Sequence, residues 1–205
     1  MFGVKMNTAA YQIITQAFGI IATVIVVISF QIKTPRGTFL LMSGSFVCFA
    51  IHFAMLGSVA GAINNTLSLI RNILILTLKK DSLADKIAKI GVCFALAAVP
   101  LVELLIPALP FSPWDFLVAF ATLVGSIFFW ESDAKKLRIA QFFIISPCWL
   151  TYNIIVGSIP GAVTECFNLC SVAVSWVRLY SKHGADKSVD ENNDGDDNTD
   201  KKKMS

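Results

Sequence analysis

Residues 52–72 read HFAMLGSVAGAINNTLSLIRN, and residues 152–172 read YNIIVGSIPGAVTECFNLCSV. At an offset of 100 positions, Gly57-Ser58-Val59-Ala60-Gly61-Ala62 matches Gly157-Ser158-Ile159-Pro160-Gly161-Ala162. His52 meets Tyr152 and Leu69 meets Leu169. Working outward, Cys48 meets Cys148, Phe49 meets Trp149, Phe30 meets Trp130 and Arg36 meets Lys136. In both places an apolar run ends, the chain turns through a Gly-Ser pair, and a second apolar run opens. The match at the two loops separates a repeat from the chance likeness of apolar helices.

The runs themselves are membrane-like. Of 205 residues, 55% are hydrophobic and 15% charged, against roughly 25% charged in soluble domains. From Asp186 onward the tail is almost wholly polar, so the body before it is more apolar still. Such a body has too few charges to coat a water-facing surface, and a bilayer is its better solvent. A helix needs about 20 mostly apolar residues to cross the hydrocarbon core. The sequence predicts spans at Tyr11 to Phe30, Thr38 to Leu56, Val59 to Leu78, Ile87 to Leu109, Pro113 to Trp130, Leu137 to Val156 and Ile159 to Leu179. The runs are uninterrupted, unlike the short alternating strands of a membrane barrel. The first is too long for a signal peptide, has no small-residue cleavage pattern, and is expected to remain.

Orientation follows from Lys and Arg. Lys33 and Arg36 lie between spans one and two; Lys79, Lys80, Lys86 and Lys89 lie between three and four. Lys135, Lys136 and Arg138 lie between five and six, and the remaining cations outside the membrane, apart from Lys5, follow the seventh. Alternate loops are basic, which makes that face cytoplasmic and puts the amino terminus outside. The formal net charge of +3 thus reports topology and lipid attraction, not nucleic acid. All five cysteines (Cys48, Cys93, Cys148, Cys166, Cys170) lie in spans, where Cys is a small packing residue. Cys166 and Cys170 share a helix face but have no third metal ligand. In the tail, Asp190, Asn192, Asp194 and Gly195 imitate the opening of a calcium loop. Asp197 and Lys201 then occupy its apolar and Glu positions, so the segment reads as a disordered linker.

Spans one to three correspond to five to seven, and span four is a linker. An odd number of spans separates the copies, so they enter the membrane in the same orientation, as parallel repeats about an axis along the membrane normal. The predicted fold is an all-α membrane protein, two three-helix bundles joined by a linker helix. Its parts are residues 1–10 outside, 11–78 as first repeat, 79–112 as linker region, 113–180 as second repeat and 181–205 as cytoplasmic tail.

This plan resembles the SWEET sugar facilitators and the wider PQ-loop superfamily. Over roughly residues 10–180 the chain more closely resembles the YgjV family of bacterial inner-membrane proteins. His52, Leu56-Gly57, Gly61-Ala62, Asn64 or Asn65, and Arg71 carry that likeness. The resemblance implies a bacterial inner membrane, bundles whose third helix lies between the first two, and a solute path between the bundles. No Pro-Gln pair occurs, and of the prolines that hinge SWEET helices only Pro147 has a counterpart, Val47 standing at its match.

Polar residues in hydrocarbon are costly and turn toward a bundle interior or a water-filled cavity. Asn64, Ser68 and Arg71 fall on one stripe at helical spacing, flanked by Asn65 and Asn72. The offset places Thr164, Asn168 and Ser171 on the same stripe of span seven, with Glu165 matching Asn65. Parallel repeats are expected to turn these faces toward a shared axis, although Asn and Ser also serve helix-to-helix hydrogen bonding. Arg71 lies roughly 20 Å along its helix and Glu165 about 10 Å along its own; a pair across the axis would form a gate or anion site. His52 and Tyr152 are matched candidates near the outer end, the His reading first as a hydrogen-bonded packing residue. Trp149 is a solute or belt residue; Trp114, Trp130 and Trp176 read as interfacial belts, and Glu103 as interfacial.

The expected function is transport of a polar small-molecule solute, with a non-transporting receptor or scaffold as the alternative. The bilayer and further copies of the chain are the other partners considered. An enzyme has no chemistry to stand on. There are two histidines, one of them in the tail, no HExxH, no GxSxG, no paired aspartates in the spans and no phosphate loop. No catalytic residue, metal site or cofactor is expected, and no mid-membrane lysine on the last span would hold retinal.

Overall fold

The computed structural model describes residues 9–29, 31–32, 34–131 and 134–176. The described residues are mostly helical, without strands. They form α1 (Ala9–Ser29), α2 (Pro35–Met55), α3 (Val59–Thr77), α4 (Leu83–Leu105), α5 (Asp115–Glu131) and α6 (Ala134–Ala140). A π-helical turn (Gln141–Ile145) then leads into α7 (Ser146–Val156), and α8 covers residues 159–176. The calcium-loop imitation and the end of the seventh predicted span lie outside the described residues. The chain divides into two compact units, Met1–Leu169 and Cys170–Ser205.

By length and composition, five segments suffice to cross a membrane: Ala9–Ser29, Arg36–Met55, Val59–Thr77, Leu83–Leu105 and Lys135–Val156. Helix α5, at 17 residues, is shorter. The surface agrees with a lipid solvent. Ile13, Leu83, Phe94, Leu105 and Ile159 are each more than two-thirds exposed, while the buried face of α3 is Ala60, Gly61, Asn64, Asn65, Ser68, Arg71 and Asn72. Apolar outside and polar inside inverts the soluble pattern.

Local signals set the ends. Pro35 opens α2, where its missing N–H leaves no bond unmade. The α2–α3 turn is a Schellman closure. Gly57 adopts φ +79°, its N–H reaches Ala54 O at 3.1 Å, and Ser58 N reaches Phe53 O at 2.9 Å. Ser58 then caps α3, its Oγ accepting from Gly61 N at 3.3 Å. The α7–α8 turn repeats this, with Gly157 at φ +76°, Ser158 N to Asn153 O at 2.8 Å and Gly161 N to Ser158 Oγ at 3.2 Å. The π turn immediately precedes Pro147, whose ring has no N–H to give and would press on the carbonyl four residues back; a widened turn relieves both.

Helix α2 packs along both α1 and α3, whereas α1 and α3 share no extended contact. This corrects the expectation that the third helix lies between the first two. The reason is visible on α3. Its polar face is already engaged with α5, and it also packs along α4, leaving α2 to bridge to α1. Helix α8 lies on α1, where Thr23 Oγ1 meets Thr164 Oγ1 at 2.8 Å and donates to Pro160 O at 3.1 Å. A Cβ on Gly19 would come within 2.8 Å of Pro160 Cγ. So α8 packs on α1 as α3 packs on α5.

Candidate functional site

The Gly-Ser turns bring the matched pair His52 and Tyr152 to one end of the bundle. His52 is fully buried, with Nδ1 2.7 Å from Thr15 O and Nε2 2.8 Å from Ser158 Oγ. Tyr152, 1% exposed, places its hydroxyl 2.6 Å from Ser58 Oγ and donates to Asp115 Oδ1 at 3.2 Å. Gly61 N donates to the same hydroxyl at 3.2 Å. Each side chain therefore joins the first helix of its own half to the capping serine of the other half. The partners match as well, Thr15 with Asp115 and Ser58 with Ser158. Phe53 fills the space between, its ring 5.3 Å from His52, 5.9 Å from Trp149 and 6.2 Å from Tyr152. Trp149 is thus part of this aromatic plug. Both sequence candidates are packing residues in the first instance, and together they act as a latch between the halves.

Behind the latch, Asp115 accepts from Ser112 N at 2.6 Å and sits beside the carboxyl of Glu103. Glu103 is 1% exposed, and both its oxygens are buried without a donor. The interfacial reading of Glu103 is therefore corrected: depth along the span is near its end, but the side chain turns into the protein. Trp130 is corrected likewise. It is buried rather than belt-like, its indole N–H donating to Asp85 Oδ1 at 2.7 Å. Trp114, about half exposed, keeps the belt reading.

Further along α3 the stripe is real and wholly buried. Asn64 and Asn65 each donate to the carbonyl four residues back at 2.8 Å, which leaves Asn64 Oδ1 buried with no partner. Arg71 is 2% exposed. Its Nε and Nη2 donate to Asn72 Oδ1 at 3.2 and 3.0 Å, and Nη1 donates to Ser126 Oγ on α5 at 3.0 Å. The guanidinium carbon lies 4.5 Å from the Phe129 ring centroid and 5.7 Å from that of Phe46. Cation–π contact of this kind offsets burial by roughly 0.5–2 kcal/mol, far less than a charge loses on leaving water. Among the described residues no carboxylate pairs with it; the ion pair seen there is Lys89 with Glu131, at 4.0 Å.

On α8 the matching residues divide. Thr164 is buried against Thr23, while Glu165 and Asn168 are half-buried and bonded to each other at 3.1 Å. Glu165 also lies beside Ser146, which accepts from Gln141 at 2.7 Å. One expectation is corrected here: Arg71 and Glu165 do not pair, each having its own hydrogen-bond partners. Arg71 on α3 meets Ser126 of α5, Thr164 on α8 meets Thr23 of α1, and Glu165 turns to Ser146 of α7.

Sequence reasoning missed Asp115, Ser126 and Phe129. Asp115 had a signal, since the offset pairs it with Thr15; Ser126 and Phe129 had none, because only the α3–α5 packing makes them neighbours of Arg71. Ser58 and Ser158 stood in the matched loop without being assigned a role. The described residues contain no His, Cys, Asp or Glu group able to hold a metal ion, and the five cysteines are free.

No curated protein and no solved structure matches the chain. Residues 13–183 match a family described as bacterial inner membrane protein, YgjV type. That match spans the latch, the α3 stripe and both Gly-Ser turns, and with the inverted surface it settles the class: the chain belongs to the YgjV family of bacterial inner-membrane proteins.

Proposed function

We propose that this protein is a small-solute transporter or facilitator whose pathway runs along the seam between its two sequence halves. In this reading the chain has seven spans, with α5 and α8 completing the five longer ones. The amino terminus is outside, the carboxyl terminus is cytoplasmic, and α4 links parallel three-helix repeats. The repeat is supported by the reciprocal bonds of His52 and Tyr152 and by the two identical Gly-Ser closures. The latch end is the outer end, held shut, and the solute enters and leaves by an exchange of packing between the halves.

One observation carries the proposal. The α3 stripe keeps two polar atoms in the interior that the protein itself does not satisfy, Asn64 Oδ1 and Asn72 Nδ2. Orphaned buried groups cost about 1–3 kcal/mol each, and polar groups retained at membrane depth mark solute paths. No catalytic step and no cofactor enters this reading. Reconstituted proteoliposomes provide the test. Uptake of a polar metabolite by the wild type, reduced by Asn64→Leu, supports it; no flux for any solute in a broad panel ends it.

A receptor or scaffold is the second reading, favoured by the latch itself, where every hydroxyl meets a protein partner and no opening is needed. Cysteine substitutions at 68 and 126 discriminate. Labelling by a water-soluble thiol reagent from the cytoplasmic side belongs to a pathway, and complete protection belongs to a scaffold.

A further inference from the structure

The surroundings of Arg71 hold an imbalance of one kind. Of its five N–H donors, three are used, so two have no acceptor. Asn72 Oδ1 takes two of those bonds, which fixes the amide orientation and leaves Nδ2, a donor, buried and unpartnered. Ser126 Oγ accepts from Arg71 and makes no other bond, so its own hydroxyl proton is also free. Arg71, Asn72 and Ser126 are 2%, 0% and 0% exposed. Every unused group there is a donor, and the net charge is positive. The ionisable neighbour on the packed helices is the Cys93 thiol of α4.

We infer that Arg71, Asn72 and Ser126 form a binding site for one small monovalent anion, and that such anions are the solute class of the pathway. The class rests on the transport reading; the binding site does not. Charge sets the valence. One guanidinium neutralises one negative charge, whereas a divalent anion would leave an uncompensated charge in a low-dielectric interior. Size follows from the walls: the Phe129 and Phe46 rings flank the guanidinium at 4.5 and 5.7 Å. With two faces of the guanidinium covered by rings, an occupant of the chemistry required is a halide, nitrate or short carboxylate rather than a sugar or nucleotide. Unused buried donors beside a cation that has no carboxylate partner among the described residues are the groups such an anion bonds to.

The test uses the full chain purified in detergent, titrated with sodium nitrate against sodium sulfate at matched ionic strength. The expected result is a saturable rise in Tm with nitrate and none with sulfate, lost in Arg71→Gln. Should Arg71→Gln fail to fold, Asn72→Asp decides. It places a carboxylate where Oδ1 already meets the guanidinium, so it should raise Tm in nitrate-free buffer and abolish the nitrate response. An Asn72→Asp protein that is no more stable and still responds overturns the site, as does a response that survives in Arg71→Gln. A nitrate response that appears only in Cys93→Ser means that the thiolate is the native counter-ion, and the inference falls. Nitrate binding without flux in liposomes keeps the site and removes the transport reading. Flux of a neutral solute without nitrate binding does the reverse.

Discussion

His52 and Tyr152 stand 100 positions apart, and each holds the serine that caps the other half's helix, at 2.8 and 2.6 Å respectively. A hydrogen bond exchanged between matched positions fastens the two halves without covalent linkage. It also ties the position of each Gly-Ser turn to that of the other.

Tyr152→Phe is expected to destabilise the protein by about 1–3 kcal/mol, because the hydroxyl serves Ser58, Asp115 and Gly61 together and its loss orphans buried partners. Thermal or denaturant unfolding in detergent measures this. A double-mutant cycle with Ser58→Ala should show coupling; strict additivity would mean that the 2.6 Å contact contributes nothing.

Four glycines sort into two classes. Gly57→Ala and Gly157→Ala should each cost about 1 kcal/mol, since both hold φ near +80°, where a Cβ is strained. Gly44→Ala and Gly91→Ala should instead be neutral or gain up to roughly 1 kcal/mol, because a Cβ there meets nothing within 4 Å in a helix interior. Equal stabilities for all four variants would contradict the turn geometry.

Glu103→Gln is expected to raise Tm. Its oxygens have no other donor and the neighbouring group is another carboxyl, so the two must share a proton to be bonded, whereas a Gln amide brings its own N–H to Asp115. The gain should be about 1–3 kcal/mol. A fall in Tm would show that the Glu103 carboxyl is held by an interaction its amide cannot make.

Trp130→Phe keeps most of the apolar packing with Val92 and Leu96 but removes the donor to Asp85. The Asp85 carboxylate also accepts from Asp81 N at 3.1 Å, so a loss of about 1–3 kcal/mol is expected. Asp85→Asn in the Trp130→Phe background should then cost little, and a large additional loss would count against the pairing.

How much was legible depended on whether the signal was local. The turns at Gly57 and Gly157 were readable because a Gly-Ser pair between apolar runs specifies its own backbone, and Arg71 announced its burial by being a charge in a run of Ile, Leu and Asn. Depth in the membrane could also be counted along the chain. Direction around the helix axis could not, and that is where Glu103 and Trp130 were misread: both lie near span ends and both turn inward. The order of helices failed for a related reason. Ser126 and Phe129 carry no mark of their use, so nothing in the chain revealed that α3 would turn to α5 and leave α2 beside α1.

The π turn at Gln141–Ile145 has no counterpart in α2, which runs unbroken from Pro35 to Met55. One additional residue in a turn shifts the phase of everything before it by about 100° relative to a regular helix. Within this helix pair, numerical correspondence therefore holds in phase from Ser146 onward and slips over Ala134–Ala140, which lies before the turn. The two halves are near-equivalent at the latch and unlike at the other end. The molecule thereby has one end where matched positions make the same contacts and another where the corresponding positions are free to be used differently.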